Sequence, residues 1–190
     1  YGGKFYQLNE VSLGYRPRQR PHPPIWVAAG GYNPQSPGTG PFGYHVAAEA
    51  GRYRGPFDRV ARLADGWITT QATPGEYRVA AELIDRSAAE HHGRSRGSIH
   101  RALSFWMNVG SDRAVARDEV KWMLESYNRL PFDDETLERF AICGTPEDCI
   151  RRIGAFGAAG VQTVLIMPGA GDQSEQMRRI AREIIPAFRS

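Results

Sequence analysis

The sequence predicts an α/β protein whose strands run parallel in one sheet. Four short apolar runs, typical of buried strands, alternate with longer segments that show the periodicity of amphipathic helices. Strands that alternate with helices at this spacing form βα units, whose strands lie parallel. The apolar runs are nearly continuous, which indicates burial on both faces, as in a barrel or a doubly wound sheet. Four βα units make half of an eightfold (β/α)8 barrel, and a small open sheet is the alternative that periodicity leaves open.

The composition is that of a globular protein. The chain has 190 residues, of which 41% are hydrophobic and 24% charged, enough for a single domain over 1–190. Its net charge of +3 is spread along the chain, so no nucleic-acid partner is expected. No apolar run approaches the roughly 20 residues that cross a bilayer, so no membrane association is expected. Because the chain starts at Tyr1 without a methionine, we expect the natural N-terminus to lie upstream.

The two cysteines predict neither a disulfide framework nor a metal site. Cys143 and Cys149 form one pair without a second, and no set of Cys and His has zinc spacing. A domain with this much core does not need a bridge, so reduced thiols in a cytoplasmic protein are expected.

The first half of the chain begins with a proline-rich stretch that excludes helix and central strand. A short apolar run follows it and is closed by Gly30-Gly31, which indicates a strand ending in a glycine turn. The predicted elements are an extended lead-in over 14–24, a buried strand over 25–29, a loop over 32–43, helices over about 44–51 and 56–64, and a strand over 67–70.

The next helix carries the clearest local signals in the sequence. Thr73, Pro74 and Glu76 supply an N-cap, a first-turn proline and an acid at the third helical position. Gly93 is expected to end the helix, with His91 and His92 as surface residues of its last turn. The residues predicted to face the core are Tyr77, Ala80, Ala81, Ile84 and Ala88.

The second half repeats the alternation of strands and helices. Asp112 or Ser111 can cap one helix, and Thr145-Pro146 with Asp148 can open another. The predicted elements are a strand over 102–109, a helix to about 127, a helix from 146 to about 160, a strand over 163–167, and a last helix with Met177, Ile180, Ala181, Ile184 and Phe188 on its inner face.

Several segments, in order, resemble the bacterial-luciferase-like family of oxidoreductases that use FMN or coenzyme F420. The resemblance spans nearly the whole chain, and it depends on the ordered set because none of the motifs is specific alone. The segments are Gly3–Tyr6, Pro17–Gly31, Val60–Trp67, Gly93-Arg94, Gly144–Asp148 with Ala159–Val161, and Glu183–Arg189.

The resemblance implies that the chain is the C-terminal half, about strands five to eight, of a luciferase-like (β/α)8 TIM barrel. It implies hydride transfer or oxygen activation on a small-molecule substrate, with FMN or F420 as cofactor, and a homodimer for the full-length protein. The family's usual catalytic histidine lies in the N-terminal half, so no catalytic residue is assigned. Residues 32–58 are longer than the family pattern and form an insertion-like loop.

The best candidate site is the glycine turn after the first strand. Ligands of barrels sit at the C-terminal ends of strands, and glycines there let backbone N–H groups approach a phosphate. The resemblance places the cofactor phosphate at Ala28, Ala29, Gly30 and Gly31, whereas spacing alone fits a plain βα turn. Arg59, beside Arg52 and Arg54, is the candidate ion-pair partner of that phosphate, and a solvated surface arginine is the alternative.

Trp106 and Asn108 are the candidate substrate contacts. They alternate with apolar residues near the end of the third strand, so both can point toward the barrel mouth. For Asn108 a single buried hydrogen bond is the alternative role. A different functional class also stays open: a non-catalytic, cofactor-binding or structural half-barrel that needs a partner chain, since a half-barrel exposes sheet edges and an apolar interior.

Overall fold

The structure, a computed structural model, describes residues 1–12, 14–30 and 54–189. Its five strands form one parallel sheet in the order β1-β2-β3-β4, and β5 also pairs with β3. Among the described residues, no helix is both long and apolar enough to cross a membrane. The strands are β1 (Trp26–Ala28), β2 (Gly66–Thr70), β3 (His100–Val109), β4 (Ala141–Gly144) and β5 (Thr163–Pro168).

Helices connect the strands in sequence order, so the predicted alternation of strands and helices is confirmed. The last helix changes its winding, because a π-helical turn over Ile180–Ile184 and a 3-10 turn over Ile185–Phe188 continue it. The α-helices are α1 (Arg54–Leu63), α2 (Pro74–His92), α3 (Arg113–Asn128), α4 (Asp134–Phe140), α5 (Pro146–Ala158) and α6 (Gln173–Arg179).

Alternate residues of the strands belong to two separate apolar clusters. On one face, Leu103, Phe105 and Met107 pack with buried residues of α1, α2, α5 and the C-terminal helix. On the other face, Trp106 and Ala141 pack with α3 and α4. The side-chain alternation of a strand therefore assigns α3 and α4 to the opposite face from α1, α2 and α5, at the C-terminal end of β3.

The remainder of that second face is open. Trp26 of β1 is 43% exposed and Leu165 of β5 is 44% exposed. The prediction that the first strand is buried is therefore wrong for Ile25 and Trp26. The physical reason is that this face of β1 is not covered within the described residues, which also leaves Ala28 exposed, whereas Val27 and Ala29 pack on the covered face.

The predicted start and inner face of α2 are confirmed. The Thr73 side chain accepts from the Glu76 backbone N–H, the Glu76 carboxylate accepts from the Thr73 N–H at 2.8 Å, and Gly93 ends the helix in the left-handed region. The five residues predicted to face the core are the buried residues of this helix. The predicted caps of α3 by Asp112 and of α5 by Thr145 are confirmed as well.

The elements β4 and α4 were not predicted, and of the five residues predicted on the inner face of the last helix only Ile180 and Ile184 are buried. A four-residue strand that directly follows a seven-residue helix offers neither a long apolar run nor a turn residue. In the last helix the buried residues are Gln176, Ile180 and Ile184, while Met177 and Phe188 are exposed. The buried positions follow a single i, i+4, i+8 row, so the buried face is narrower than predicted and excludes Met177, Ala181 and Phe188.

Candidate functional site

The C-terminal end of β1 is held in place by β2. The Trp67 indole Nε1 donates to the carbonyl of Ala29 at 2.8 Å, and the Thr69 hydroxyl donates to the carbonyl of Gly30 at 3.3 Å. The backbone N–H of Ala29 completes the attachment by donating to the carbonyl of Ile68 at 3.2 Å. These hydrogen bonds fix the peptide groups at the end of β1. The two donor side chains belong to β2, which is paired with a strand on each side.

Gly30 needs to be a glycine for two reasons. Its φ of 82° lies in the left-handed region that residues with a Cβ rarely adopt. A Cβ at this position would also lie 3.1 Å from the Phe57 ring and 3.4 Å from Thr69 Oγ1. Gly30 therefore has the backbone conformation of the predicted glycine turn at the C-terminal end of β1, and its role as a ligand site stays a prediction. Gly31 lies outside the described residues.

The other candidates for the phosphate site are less closely joined to this turn. Ala29 is buried, whereas Ala28 is exposed on the opposite face of the sheet. Arg59 is exposed on α1, and within the described part of the chain it makes no hydrogen bond or ion pair. Arg52, the helix predicted over 44–51 and the insertion-like loop up to residue 53 lie outside the described residues.

Gln71 is a candidate that the sequence analysis missed. It follows β2 directly, with a φ of 62° that is unusual for a residue with a side chain. Its Oε1 is buried and has no hydrogen-bond partner in the described ranges. Backbone strain and an unsatisfied buried acceptor are both typical of functional positions. The only sequence signal was a polar residue directly after a predicted strand.

Trp106 and Asn108 lie on one face of β3, as predicted, but under α3. The Asn108 Nδ2 donates to Glu119 Oε2 at 2.9 Å and to the carbonyl of Gly169 at 3.0 Å, and its Oδ1 accepts from Gln176 Nε2 at 2.8 Å. Asn108 is 1% exposed. Trp106 is half-buried, with its ring 5.9 Å from that of Tyr127. Asn108 therefore ties β3 to two helices, and Trp106 retains accessible surface.

An ion pair joins α2 and α4 near the end of β2. Arg139 of α4 donates to both carboxylate oxygens of Glu76, in the first turn of α2. The two side chains are 17% and 15% exposed, so the pair is mostly shielded from water. Because α2 begins three residues after Gln71, this contact sets the position of α4 relative to the end of β2.

Comparison with known proteins shows one family. A model described as luciferase-like monooxygenase matches residues 50–163, more than half of the chain. The 5,10-methylenetetrahydromethanopterin reductase of Archaeoglobus fulgidus is 26% identical, with 100% of this chain and 60% of that protein covered. The F420-dependent glucose-6-phosphate dehydrogenase of Kineococcus radiotolerans is 22% identical, with 100% and 55% covered.

A solved structure shows the same architecture. The coenzyme F420 dependent tetrahydromethanopterin reductase from Methanopyrus kandleri matches with a TM-score of 0.71 at 18% identity, over 100% of this chain and 58% of that one. The chain thus spans little more than half the length of the proteins it matches. The half-barrel prediction is confirmed, and the small open sheet is excluded.

Proposed function

The chain belongs to the luciferase-like monooxygenase family, and we propose that it forms the C-terminal half of the barrel of an oxidoreductase that uses coenzyme F420 or FMN. The substrate is a small organic molecule, as the relatives' names indicate for those proteins. The ring of the bound cofactor supplies hydride transfer and, in the FMN case, oxygen activation. This half of the barrel supplies a binding surface and a fixed orientation.

The turn at Gly30 is the observation that carries the proposal. A phosphate needs backbone N–H groups that it can approach without meeting a side chain, at the C-terminal end of a strand. Gly30 has no side chain of its own, and its φ of 82° is the left-handed conformation typical of such glycine turns. The hydrogen bonds from Trp67 and Thr69 keep the turn in one conformation before a ligand arrives.

Each candidate residue has a proposed role. Ala28, Ala29, Gly30 and Gly31 provide the backbone that surrounds the cofactor phosphate, and Arg59 neutralises part of its charge. Trp106 contacts the substrate through its accessible surface. Asn108 holds β3 and α3 together beneath the substrate. Its amide can bind the substrate only if it gives up one of its three protein partners.

We favour F420 over FMN as the cofactor. The Kineococcus and Methanopyrus proteins are both described as dependent on F420. FMN remains the second choice, because the matching family model is described as a luciferase-like monooxygenase. Hydride transfer without oxygen is therefore the proposed reaction, and monooxygenation is its alternative.

The test is a fluorescence titration with F420 and with FMN. It uses both the 190-residue chain and a longer protein that contains it. Gly30→Ala places a Cβ against the Phe57 ring and is expected to weaken binding of the preferred cofactor by about tenfold or more. The matched control is Gly97→Ala, which carries the same backbone strain at a φ of 73° but has open space around it.

The possible results distinguish the proposed cofactor site from its alternatives. Binding of F420 but not FMN, lost in Gly30→Ala and kept in Gly97→Ala, supports the proposal. If the longer protein binds neither cofactor, the oxidoreductase reading is wrong. Equal losses of cofactor affinity in the two variants would mean that backbone strain, and not the added methyl group at Gly30, weakens binding. The phosphate would then lie elsewhere.

A second candidate function is a half-barrel that works only with a partner chain. The exposure of Trp26 and Leu165 on the open face favours it, because an apolar barrel interior requires a covering half. Size-exclusion chromatography tests this candidate: a monodisperse monomer without cofactor would count against obligatory pairing.

The proposed location is the cytoplasm. Cys143 and Cys149 are both free in the structure, as expected, and free thiols persist in reducing compartments. Fractionation of cells that express the natural protein would test this location.

A further inference from the structure

An arginine-lined cavity lies beside the C-terminal ends of β3 and β4. Its volume is about 310 Å³, which is within the range of small-ligand sites, and its walls come from α3, α4, β4 and α5. It is separate from the turn at Gly30, which lies at the end of β1. Six of the lining residues are charged: Arg113, Arg117, Glu138, Asp148, Arg151 and Arg152.

The charges of this cavity do not balance. Four guanidinium groups face two carboxylates, so the lining carries two positive charges in excess, and Asp134 offsets one of them from outside the lining. The carboxylate of Asp148 is shared, because it pairs with Arg151 and lies 3.9 Å from Arg113 Nη1. Arg117 pairs at 2.5 Å with Asp134, whose side chain is 82% exposed and does not line the cavity. One buried acid therefore serves two arginines, and the surplus calls for an anion.

Arg113 keeps its donors available. Its one ion pair within the described residues is longer than a hydrogen bond, and its side chain is 67% exposed. Arg151 is similarly exposed at 68%, on the first turns of α5. Arg113 can thus turn toward a ligand without breaking a hydrogen bond, whereas Arg151 must exchange its ion pair with Asp148 for the ligand.

The backbone at Gly144, directly after the lining residue Cys143, is closely packed by two of the lining side chains. Gly144 has a φ of 132°, and a Cβ there would lie 2.9 Å from Asp148 Oδ2 and 3.4 Å from Arg113 Cγ. Its carbonyl accepts from the N–H of Gly110 at 2.9 Å, which joins the ends of β3 and β4. A side chain at this position would fill the space between the acid and the arginine.

We propose that this cavity binds the phosphoryl group of a small phosphorylated molecule, held by Arg113 of α3 and Arg151 of α5, which lie beside the same carboxylate oxygen of Asp148. The planar guanidinium group binds phosphoryl oxygens through paired hydrogen bonds, which a lysine cannot reproduce. Arg117 and Arg152 add charge from the sides, and Arg152 is held in place over the ring of Phe156 at 5.4 Å. The site does not depend on the proposed cofactor or reaction.

The first test is calorimetric titration with pyrophosphate at constant ionic strength. The double variant Arg113→Gln, Arg151→Gln is expected to bind pyrophosphate about tenfold more weakly than the parent. The control is Arg178→Gln, whose side chain is 65% exposed on α6 and pairs with Glu175 away from the cavity. Circular dichroism establishes that each variant is folded, and Arg113→Gln alone replaces the double variant if it is not.

The second test uses the thiol of Cys143, which lines the cavity and is half-buried. Bound pyrophosphate is expected to slow its alkylation by iodoacetamide several-fold in the parent and in Arg178→Gln, but not in the double variant. Sodium chloride of equal ionic strength is expected not to protect. The proposal is overturned if pyrophosphate gives neither heat nor protection, if chloride protects equally, or if the double variant behaves as the parent does. Because F420 and FMN are absent, these results are independent of the cofactor titration.

Discussion

Arg139 Nη1 lies 2.8 and 2.6 Å from the two carboxylate oxygens of Glu76, although 63 positions separate the residues in sequence. Glu76 also accepts from the N–H and hydroxyl of Thr73. One carboxylate therefore both caps α2 and anchors α4. Since α4 leads directly into β4, this pair fixes a segment that has little local structure of its own.

Replacing Arg139 by methionine is expected to lower the free energy of unfolding by about 2 kcal/mol, because it removes charged hydrogen bonds from a mostly buried acid. Thr73 still satisfies part of the carboxylate, which limits the loss. Urea denaturation measures it. Arg78→Met is the control, since Arg78 is exposed on the same helix as Glu76 and should change stability by no more than about 0.5 kcal/mol. Equal effects of the two variants would contradict a structural role for the pair.

Trp67→Phe is expected to destabilise the protein by about 2 kcal/mol, through a lost hydrogen bond and a small void. The Trp67 ring is fully buried, stacks on Tyr77 at 4.8 Å and donates to the carbonyl of Ala29. Trp122→Phe is the matched control, because Trp122 is 65% exposed on α3. Thermal or urea unfolding of both variants measures the difference, and an equally large loss for Trp122→Phe would refute this account.

The sequence predicted elements well where local chemistry decides the structure. The capping box of α2 uses residues three positions apart, and its buried stripe follows a regular helical period, so both were visible in the sequence. The opposite holds for α4 and β4. These short elements are stabilised by tertiary contacts, such as the pair between Arg139 and Glu76, which no local pattern reveals.

The candidate site was predictable in its location but not in its contacts. Gly30 after an apolar run was a sufficient signal for a glycine conformation at the C-terminal end of β1, whose role as a ligand site stays a prediction. The partners that hold it, Trp67 and Thr69, come from a strand about 40 positions later, and the sequence gives no pairing register. For the same reason the hydrogen bonds of Asn108 with α3 and α6 could not be foreseen.

His92 was expected on the surface, but its side chain is 17% exposed and its Nε2 lies 2.8 Å from Asp58 Oδ1. Ser87 donates to the same oxygen. Both hydrogen bonds lower the pKa of Asp58 below its ordinary value of 3.8, and the one with His92 has the larger effect. A lowered folded-state pKa gives stability that is present above the unfolded pKa and lost as the pH falls through the folded pKa.

Asp58→Asn is therefore expected to be less stable than the parent at neutral pH, and the difference should shrink as the pH falls from about 5 to about 3. Urea midpoints at several pH values measure it. Asp118→Asn, an exposed change on α3, should follow the parent at every pH. A constant gap between Asp58→Asn and the parent would show that the carboxylate's charge is not involved.

The two thiols are expected to differ sharply in reactivity. Burial raises the pKa of Cys149 to about 12, so almost no thiolate exists near neutral pH. Burial also raises the pKa of Cys143, but Arg117 and Arg113 oppose this effect, and the side chain is only half-buried. Ellman's reagent at about pH 8 should therefore titrate one thiol in the folded protein and the second only in denaturant. Cys143→Ser should abolish the native reaction and Cys149→Ser should retain it, whereas two thiols that react at one rate would show that the core around Cys149 is open to solvent.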